Sequence, residues 1–249
     1  MIKKEDLQQS HLHPLSQTIL DMVDIFKEIG FSVVTGPERE DAFHNFDALN
    51  VPEDHPARDM QDTFWLKPLS DKKLLRTHTS SVQIRYLEKN KDNLPIKIVA
   101  PGKVFRNEAT DATHEAQFFQ MEGLYIDKNV TVAHLKGVLN HLIQGLFGPQ
   151  AKIRLRPSFF PFVEPGFEVD VSCFKCLAQG CALCKQTGWI EVLGAGLVHP
   201  AVLRSVNIDP DLWQGLAVGM GVDRLLMLKY GLDDIRHLYS GDLRFVNQF

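Results

Sequence analysis

The sequence predicts an α+β fold: a central, mostly antiparallel sheet flanked by helices, with a small cysteine-rich hairpin inserted into it. Three observations support this prediction. Polar and apolar residues alternate on both sides of a polar loop between Gly102 and Ile126, which is typical of two antiparallel strands. Apolar residues recur at helical spacing over residues 14–29 and again over 132–146. Two Cys-x-x-Cys pairs fall within residues 173–184.

The composition is that of a globular protein with a sizeable core. Of the 249 residues, 44% are hydrophobic and 23% are charged, which suits one large domain or one with a small insert. The chain has no apolar run long enough to span a membrane and no apolar segment of a secretory signal near its start, so we expect a cytoplasmic enzyme. The net charge of −4 argues against a stand-alone nucleic-acid binder with a broad basic face.

The first half of the chain alternates predicted elements with one long loop. The helix over residues 14–29 is followed by a strand at 31–34. Residues 38–62 are polar and contain two prolines, so they predict a long loop, after which 62–66 return to the sheet.

A second group of elements leads into and out of the hairpin between Gly102 and Ile126. A helix begins near Ser80, where Ser80 and Gln83 have the spacing of a capping box. A short strand at 96–100 precedes the hairpin, and Thr131 is expected to cap the helix that follows it.

The hairpin carries a chemically distinctive face. Side chains two residues apart on a strand point the same way, so one face presents Arg106, Glu108, Gln120 and Glu122 with the ring of Phe118. Such a face is also typical of a solvated antiparallel sheet. A guanidinium, two carboxylates and an aromatic ring together would suit a nucleotide, with the arginine on phosphate and the ring on the base.

The four cysteines of the chain are clustered, which indicates a metal rather than a disulfide framework. Cys173, Cys176, Cys181 and Cys184 supply four thiolates, the set that a tetrahedral structural zinc requires. Free thiols or another metal remain alternatives, and so does a zinc-dependent nucleic-acid module, against which the net negative charge counts.

The segment TDATHEAQFFQMEGLYI resembles motif 2 of the class II aminoacyl-tRNA synthetases, and in particular the alpha-subunit family of the phenylalanyl-tRNA synthetases. The helix and strand over residues 14–34 resemble motif 1, and the glycine-rich residues 215–224 resemble motif 3. The resemblance runs from about residue 12 to residue 249. It implies that residues 1–249 form one class II catalytic domain, with residues 173–184 as an insertion.

The resemblance implies a role for each site residue. Arg106 would bind the α-phosphate of ATP, Phe118 and Arg224 would sandwich the adenine with Arg224 also near the γ-phosphate, and Glu108 and His114 would assist. The residues implied for phenylalanine are His78, Ser80, Gln83, Gln120, Glu122, Phe160, Phe162 and Ala217. Glu164 matches a magnesium position.

The resemblance also implies partners. The substrates would be L-phenylalanine, ATP and tRNA(Phe), and the chain would work with a beta subunit in an alpha2beta2 assembly. Bacterial relatives carry an N-terminal coiled-coil arm, whereas about a dozen residues precede the first matching segment here, so the arm is either naturally shortened or removed. A paralogue that binds ligands without catalysis is the other candidate; it would be expected to lack Arg106, Glu108 or Arg224, and all three are present.

Overall fold

The structure is a computed structural model that describes residues 12–53 and 63–249. Its helices, labelled in chain order, are α1 (Pro14–Glu28), α2 (Ala42–Asn45), α3 (Ser80–Asn90), α4 (Val132–Phe147), α5 (Pro200–Ser205), α6 (Val222–Tyr230) and α7 (Leu243–Val246). Short 3₁₀ helices cover Asp47–Leu49, Leu69–Asp71, Lys91–Asn93 and Ile235–Leu238. No helix in the described ranges is long and apolar enough to cross a membrane.

The strands are β1 (Ser32–Val33), β2 (Arg39–Asp41), β3 (Lys73–Leu75), β4 (Ile96–Phe105), β5 (Gln117–Asp127), β6 (Ile153–Phe160), β7 (Val163–Ser172), β8 (Trp189–Val198) and β9 (Gln214–Gly221). Seven of them form one sheet in the order β1-β4-β5-β9-β8-β7-β6, and only the β1–β4 pairing is parallel. The predicted α+β class with a mostly antiparallel sheet is therefore confirmed.

The sheet separates two layers because side chains alternate along each strand. On β5, Met121 packs in an apolar cluster with residues of α1, α4 and α6, such as Phe26 and Leu139. Leu124 and Ile126 point the other way and pack with residues of α3 and α5. This second layer also contains the functional site described below.

Several local predictions need correction. The predicted loop 38–62 contains β2, α2 and a 3₁₀ helix in its described part, because Asp41 caps α2 by accepting a hydrogen bond from the His44 N–H at 3.0 Å. These elements are too short to produce a recognisable periodicity. The segment expected to rejoin the sheet at 62–66 instead makes one bridge, Trp65 to Leu74, beside the separate two-stranded sheet of β2 and β3; residue 62 itself lies outside the described ranges.

The capping box that the spacing of Ser80 and Gln83 allowed is not formed. Thr79 is the N-cap residue of α3, and no side chain caps this helix end. The Ser80 hydroxyl donates a hydrogen bond to the Glu122 carboxylate at 2.7 Å instead. The Ser80 hydroxyl is therefore bonded to the buried Glu122 carboxylate on β5 and is not available to cap the helix.

The central hairpin agrees with its prediction with one adjustment. The strand predicted at 96–100 continues to Phe105, where β4 ends, so Arg106 and Glu108 follow the strand rather than lie on it. Phe118, Gln120 and Glu122 do lie on β5 and face the same layer. The Thr131 cap of α4 is also confirmed, and the ring of His134 accepts the Thr131 N–H at 3.1 Å to complete it.

Candidate active site

A cavity of about 1120 Å³ lies on the face of the sheet covered by α3 and the 3₁₀ helix Asp47–Leu49. It draws together residues that are far apart in the chain, from α3, the β4–β5 hairpin, the β6–β7 turn and the start of α6. The predicted site residues that line it are His78, Ser80, Arg106, Gln120, Glu122, Phe160, Phe162, Ala217 and Arg224. The structure thus brings most of the predicted residues to one place.

A smaller cavity of about 160 Å³ adjoins the first. The predicted nucleotide residues that line it are Arg106, Glu108, His114, Phe118 and Arg224. Arg106 and Arg224 border both cavities, so the two guanidinium groups stand at the junction between them. Groups bound on either side would meet at these two positive charges.

The polar end of the large cavity is built around Glu122. This carboxylate is 4% exposed and accepts hydrogen bonds from the Ser80 hydroxyl at 2.7 Å and the Gln120 amide at 3.4 Å. Burial raises the pKa of Glu122 to about 7, although its hydrogen-bonding neighbours, Ser80 first, act to lower it. Within the described ranges no Lys, Arg or His forms an ion pair with Glu122, so a cationic ligand would supply the missing charge.

His78 lies on the same wall in its neutral form. Burial, helped by the charge of Arg106, lowers the pKa of His78 to about 4. The His78 Nδ1 atom and the Gln120 Oε1 atom are buried and have no hydrogen-bond partner among the described residues. Because buried polar atoms are normally paired, these two atoms indicate that a polar ligand completes this wall.

The opposite end of the cavity is apolar. The rings of Phe160 and Phe162 stack with centroids 6.0 Å apart and an interplanar angle of 23°, and Ala217 leaves open space at the base. Phe160 ends β6 and Phe162 lies in the turn before β7, so the irregularity predicted from Pro161 is confirmed. The turn is held by Asn50, whose side-chain amide donates to the Pro161 carbonyl at 2.7 Å.

Arg106 is positioned by the chain around it. Its Nε–H donates to the Thr77 carbonyl at 3.4 Å, and its guanidinium carbon lies 5.0 Å from the centre of the Phe118 ring. Burial lowers the pKa of Arg106, an effect that the nearby Glu108 carboxylate opposes. A partly desolvated guanidinium beside an aromatic ring is well suited to bind a phosphate and a stacked base.

The loop between β4 and β5 places His114 at the edge of the small cavity. Asp111 organises this loop by accepting hydrogen bonds from the backbone N–H groups of Thr113 at 2.6 Å and His114 at 2.8 Å. The His114 ring also lies 3.0 Å from the Asp111 carboxylate, and its side chain is 54% exposed. The histidine is therefore accessible from solvent at the cavity mouth.

Two of the residues predicted for phenylalanine or magnesium do not line either cavity. Gln83 is buried behind the wall formed by α3. Glu164 points outward on β7, with a side chain that is 74% exposed and 3.3 Å from His199. Glu164 therefore lies outside both cavities, whereas Glu108 and Glu115 line the small one. Its role as a magnesium ligand stays a prediction of the resemblance.

The cysteine hairpin fits a tetrahedral metal. The Sγ atoms all lie within 4.8 Å of one another, and the Cys173–Cys181, Cys176–Cys184 and Cys181–Cys184 separations are each 3.7 Å. Zinc–sulfur bonds of about 2.3 Å in a tetrahedron place sulfurs about 3.8 Å apart. Burial acts to raise the pKa of Cys184, but the backbone N–H groups of Cys181 and Gly188 outweigh it and hold this pKa at about 6, which favours the thiolate.

The hairpin contains a repeat that the spacing of the cysteines alone did not reveal. Residues 173–180 and 181–188 both follow the pattern Cys-x-x-Cys-x-x-x-Gly. In each copy the glycine N–H donates to the second cysteine sulfur, at 3.2 Å from Gly180 and 3.3 Å from Gly188. Both glycines have positive φ angles of 100° and 77°, which explains why glycine ends each copy.

Other residues of the site were not predicted. Asn45 fixes the segment before α3 through two hydrogen bonds with Thr77, at 3.0 and 3.2 Å. Glu168 and Glu191 also line the large cavity, and both pair with Arg156. The alternation of charged residues on β6 and β7 was a signal for this network, whereas nothing near Asn45 indicates its distant partner.

Comparison with known proteins agrees with this geometry. The family model for the class II core domain of tRNA synthetases matches residues 1–249. The chain is 57% identical over 237 residues to the phenylalanine–tRNA ligase alpha subunit of Halalkalibacterium halodurans, and 55% and 54% identical to those of Bacillus pumilus and Bacillus subtilis. Each alignment covers 95% of this chain and 68% of the relative. The chain therefore belongs to the class II tRNA synthetases, in the family of phenylalanine–tRNA ligase alpha subunits.

Proposed function

We propose that this chain activates L-phenylalanine with ATP and transfers the phenylalanyl group to the 3′-terminal adenosine of tRNA(Phe). The observation that carries the proposal is the pair of adjoining cavities. One has an apolar end and a buried carboxylate, and the other has an aromatic ring, with Arg106 and Arg224 between them. An amino acid in the first and ATP in the second would meet at the two arginines.

In the large cavity, the stacked rings of Phe160 and Phe162 would receive the substrate phenyl ring above Ala217. The substrate ammonium group would lie against Glu122, supported by Gln120 and Ser80. His78 lines the same cavity and would offer its unpaired Nδ1 atom to the polar end of the substrate, and the buried Gln83 lies on α3 next to this region. A phenol hydroxyl buried among these rings would lack a partner, which favours phenylalanine over tyrosine.

Activation would proceed by direct attack on ATP. A substrate carboxylate oxygen forms a bond to the α-phosphorus, the bond from that phosphorus to the bridging oxygen breaks, and pyrophosphate leaves with the electron pair. Arg106 would bind the α-phosphate, Arg224 would reach the γ-phosphate and one face of the adenine, and Phe118 would cover the other face. Glu108 and His114 would orient the nucleotide. No residue becomes covalently modified, so positioning and charge neutralisation supply the catalysis.

Transfer would follow at the same junction. A ribose hydroxyl oxygen of the terminal adenosine attacks the carbonyl carbon of phenylalanyl-adenylate, and the bond from that carbon to the phosphate oxygen breaks. Phenylalanyl-tRNA and AMP are the products, with the hydroxyl proton released. Glu108 and Glu115, which line the small cavity, would hold magnesium beside the nucleotide, where the ion would neutralise phosphate charge.

The insertion and the partners complete the proposal. Zinc held by Cys173, Cys176, Cys181 and Cys184 would have a structural role, because all four positions are taken by protein sulfur. Residues 1–249 would form the catalytic domain, working with a beta subunit in an alpha2beta2 enzyme. Glu164 and His199, which face outward, remain available to ligands from outside this chain.

The test is ATP–pyrophosphate exchange by the chain assembled with its beta partner, with phenylalanine, tyrosine and leucine compared. We expect exchange that depends on phenylalanine. Absence of exchange with every amino acid, in a folded and zinc-loaded complex, would contradict the proposal and favour a non-catalytic paralogue.

A further inference from the structure

One buried carboxylate outside the expected substrate contacts joins three parts of the nucleotide side of the site. Asp223 is 2% exposed and lies at the start of α6, directly before Arg224. Its Oδ2 atom accepts the backbone N–H of Phe119 at 2.7 Å, and its Oδ1 atom accepts the hydroxyl of Tyr239. The carboxylate therefore ties β5 and the C-terminal segment to the helix that carries Arg224.

The bond to Phe119 extends the sheet beyond its last strand pair. The β5–β9 pairing ends where Gln120 faces Gly221, because β9 turns into α6 at that point. The next N–H along β5, that of Phe119, therefore lacks a strand partner on this side. The Asp223 carboxylate accepts it, which links the backbone beside Phe118 to the start of α6, where Arg224 lies. Buried N–H groups are rarely left unpaired.

The C-terminal segment contributes a second contact to the same region. The backbone N–H of Ile235 donates to the Ala112 carbonyl at 2.9 Å, in the loop that carries His114. Ile235 also lines the small cavity with Asp223. Tyr239 follows in the same segment, so its bond to Asp223 fixes this segment against the loop and against α6.

We propose that Asp223 and Tyr239 are positioning residues for ATP, which hold Phe118, Arg224 and the β4–β5 loop in the arrangement that binds the nucleotide. This inference rests on the proposed function and adds the C-terminal segment to the site. Tyr239 lines neither cavity, so it acts through Asp223 rather than by touching the substrate.

The first experiment measures ATP–pyrophosphate exchange by the assembled enzyme carrying Tyr239→Phe. We expect the KM for ATP to rise about tenfold, as for the loss of one buried hydrogen bond to a charged group, and the KM for phenylalanine to stay within about twofold. The matched control is Tyr125→Phe, which removes the 2.8 Å hydrogen bond from Tyr125 to Asp127 at the other end of β5. An unchanged KM for ATP, or an equal rise in both KM values or in the control, would overturn the inference.

A second pair of variants separates positioning from general loss of structure. Asp223→Glu keeps the carboxylate, so its KM for ATP should stay close to the wild-type value. Asp223→Asn removes the charge, so its KM for ATP should rise at least as much as in Tyr239→Phe. Equal KM values for ATP in both variants would overturn the inference.

The inference can also be judged if the proposed function fails. Absence of exchange by the wild-type complex would count against the proposed function. ATP binding measured by calorimetry on wild-type and Tyr239→Phe complexes would still decide the inference. Weaker binding by the variant supports the positioning role, and equal binding contradicts it.

Discussion

The substrate site and the cysteine hairpin are assembled in opposite ways. The site depends on contacts between distant parts of the chain: Ser80 reaches Glu122 on β5, and the Phe119 N–H reaches Asp223 on α6. The hairpin is complete within residues 173–188, because two copies of one short pattern face each other. Polar groups in the site are left unpaired and can bind ligands, whereas the thiolates of the hairpin are all used once a metal is bound. Changes in the first should alter activity, and changes in the second should alter stability.

The largest expected effect is on activity. Replacing the guanidinium in Arg106→Ala should lower the rate of phenylalanine-dependent exchange by about 10²–10³-fold, the scale for removing one preorganised group that stabilises developing charge. The melting temperature should change little, because within the described ranges no carboxylate forms an ion pair with Arg106. Exchange kinetics and thermal melting of the same sample check both points.

The exposed Arg204→Ala is the matched control, since Arg204 lies on α5 outside both cavities. Comparable loss of exchange in this control would contradict a specific role for Arg106.

Changes in the cysteine hairpin should lower the stability of the protein and leave substrate binding unchanged. Cys176→Ser should remove bound zinc and lower the melting temperature by roughly 10 °C, if about 3 kcal/mol of stability is lost. The KM values for ATP and phenylalanine should stay close to those of the wild type. Metal analysis, thermal melting and exchange kinetics measure the three quantities.

Lys175→Ala, between two of the ligands but exposed, should keep one zinc per chain. Wild-type protein without bound metal, or a Cys176→Ser protein with unchanged stability, would show that the hairpin does not need zinc.

The pH dependence of amino-acid binding should follow Glu122. Since its pKa is about 7, the carboxylate is ionised at pH 8 and largely protonated at pH 6. The kcat/KM for phenylalanine should therefore fall about tenfold from pH 8 to pH 6. In Glu122→Gln it should be low and nearly flat over this range. A wild-type profile as flat as that of the variant would rule out Glu122 as the group that binds the substrate ammonium.

The smallest expected effect is on stability, where Glu122 opposes folding at high pH. Burial raises its folded pKa from 4.5 to about 7, so the favourable contribution present below pH 4.5 is lost as pH rises through 7. Glu122→Gln should therefore melt a few degrees higher than the wild type at pH 8, with a smaller difference at pH 5.

His78 acts in the opposite direction, because its depressed pKa lowers stability as pH falls from 6.5 towards 4. The wild type and Glu122→Gln both contain His78, so the difference between their melting temperatures reports the effect of Glu122 alone. A wild type that is equally or more stable at pH 8 would contradict the predicted cost of the buried charge.

The same contrast explains what could be read from the sequence. The side chains of β5 that face the site could be predicted from their alternation, and the metal-binding cluster could be predicted from the spacing of the cysteines, because both patterns are local. The roles of His78 and Phe160 came from resemblance, since nothing in their own segments distinguishes them from core residues. The spacing of Ser80 and Gln83 also suited a helix cap, and only the fold shows that the Ser80 hydroxyl bonds to Glu122, 42 residues away. Asn45 and Tyr239 were missed for the same reason, since their partners are visible only in the fold.

The way the cysteine hairpin is attached to the sheet has a consequence for how this sequence can change in evolution. Ser172 and Trp189 are already paired as neighbouring strand ends before the cysteines begin. A chain that exchanged residues 173–188 for a tight turn would keep the same pair and the same walls of the cavity. The strand pairing therefore does not depend on the metal, but the core does depend on the hairpin, because Cys173 and Cys184 are buried in it and Phe174 stacks on Phe147 of α4 at 5.6 Å. A lineage that lost the metal would have to cover this end of α4 with other apolar side chains.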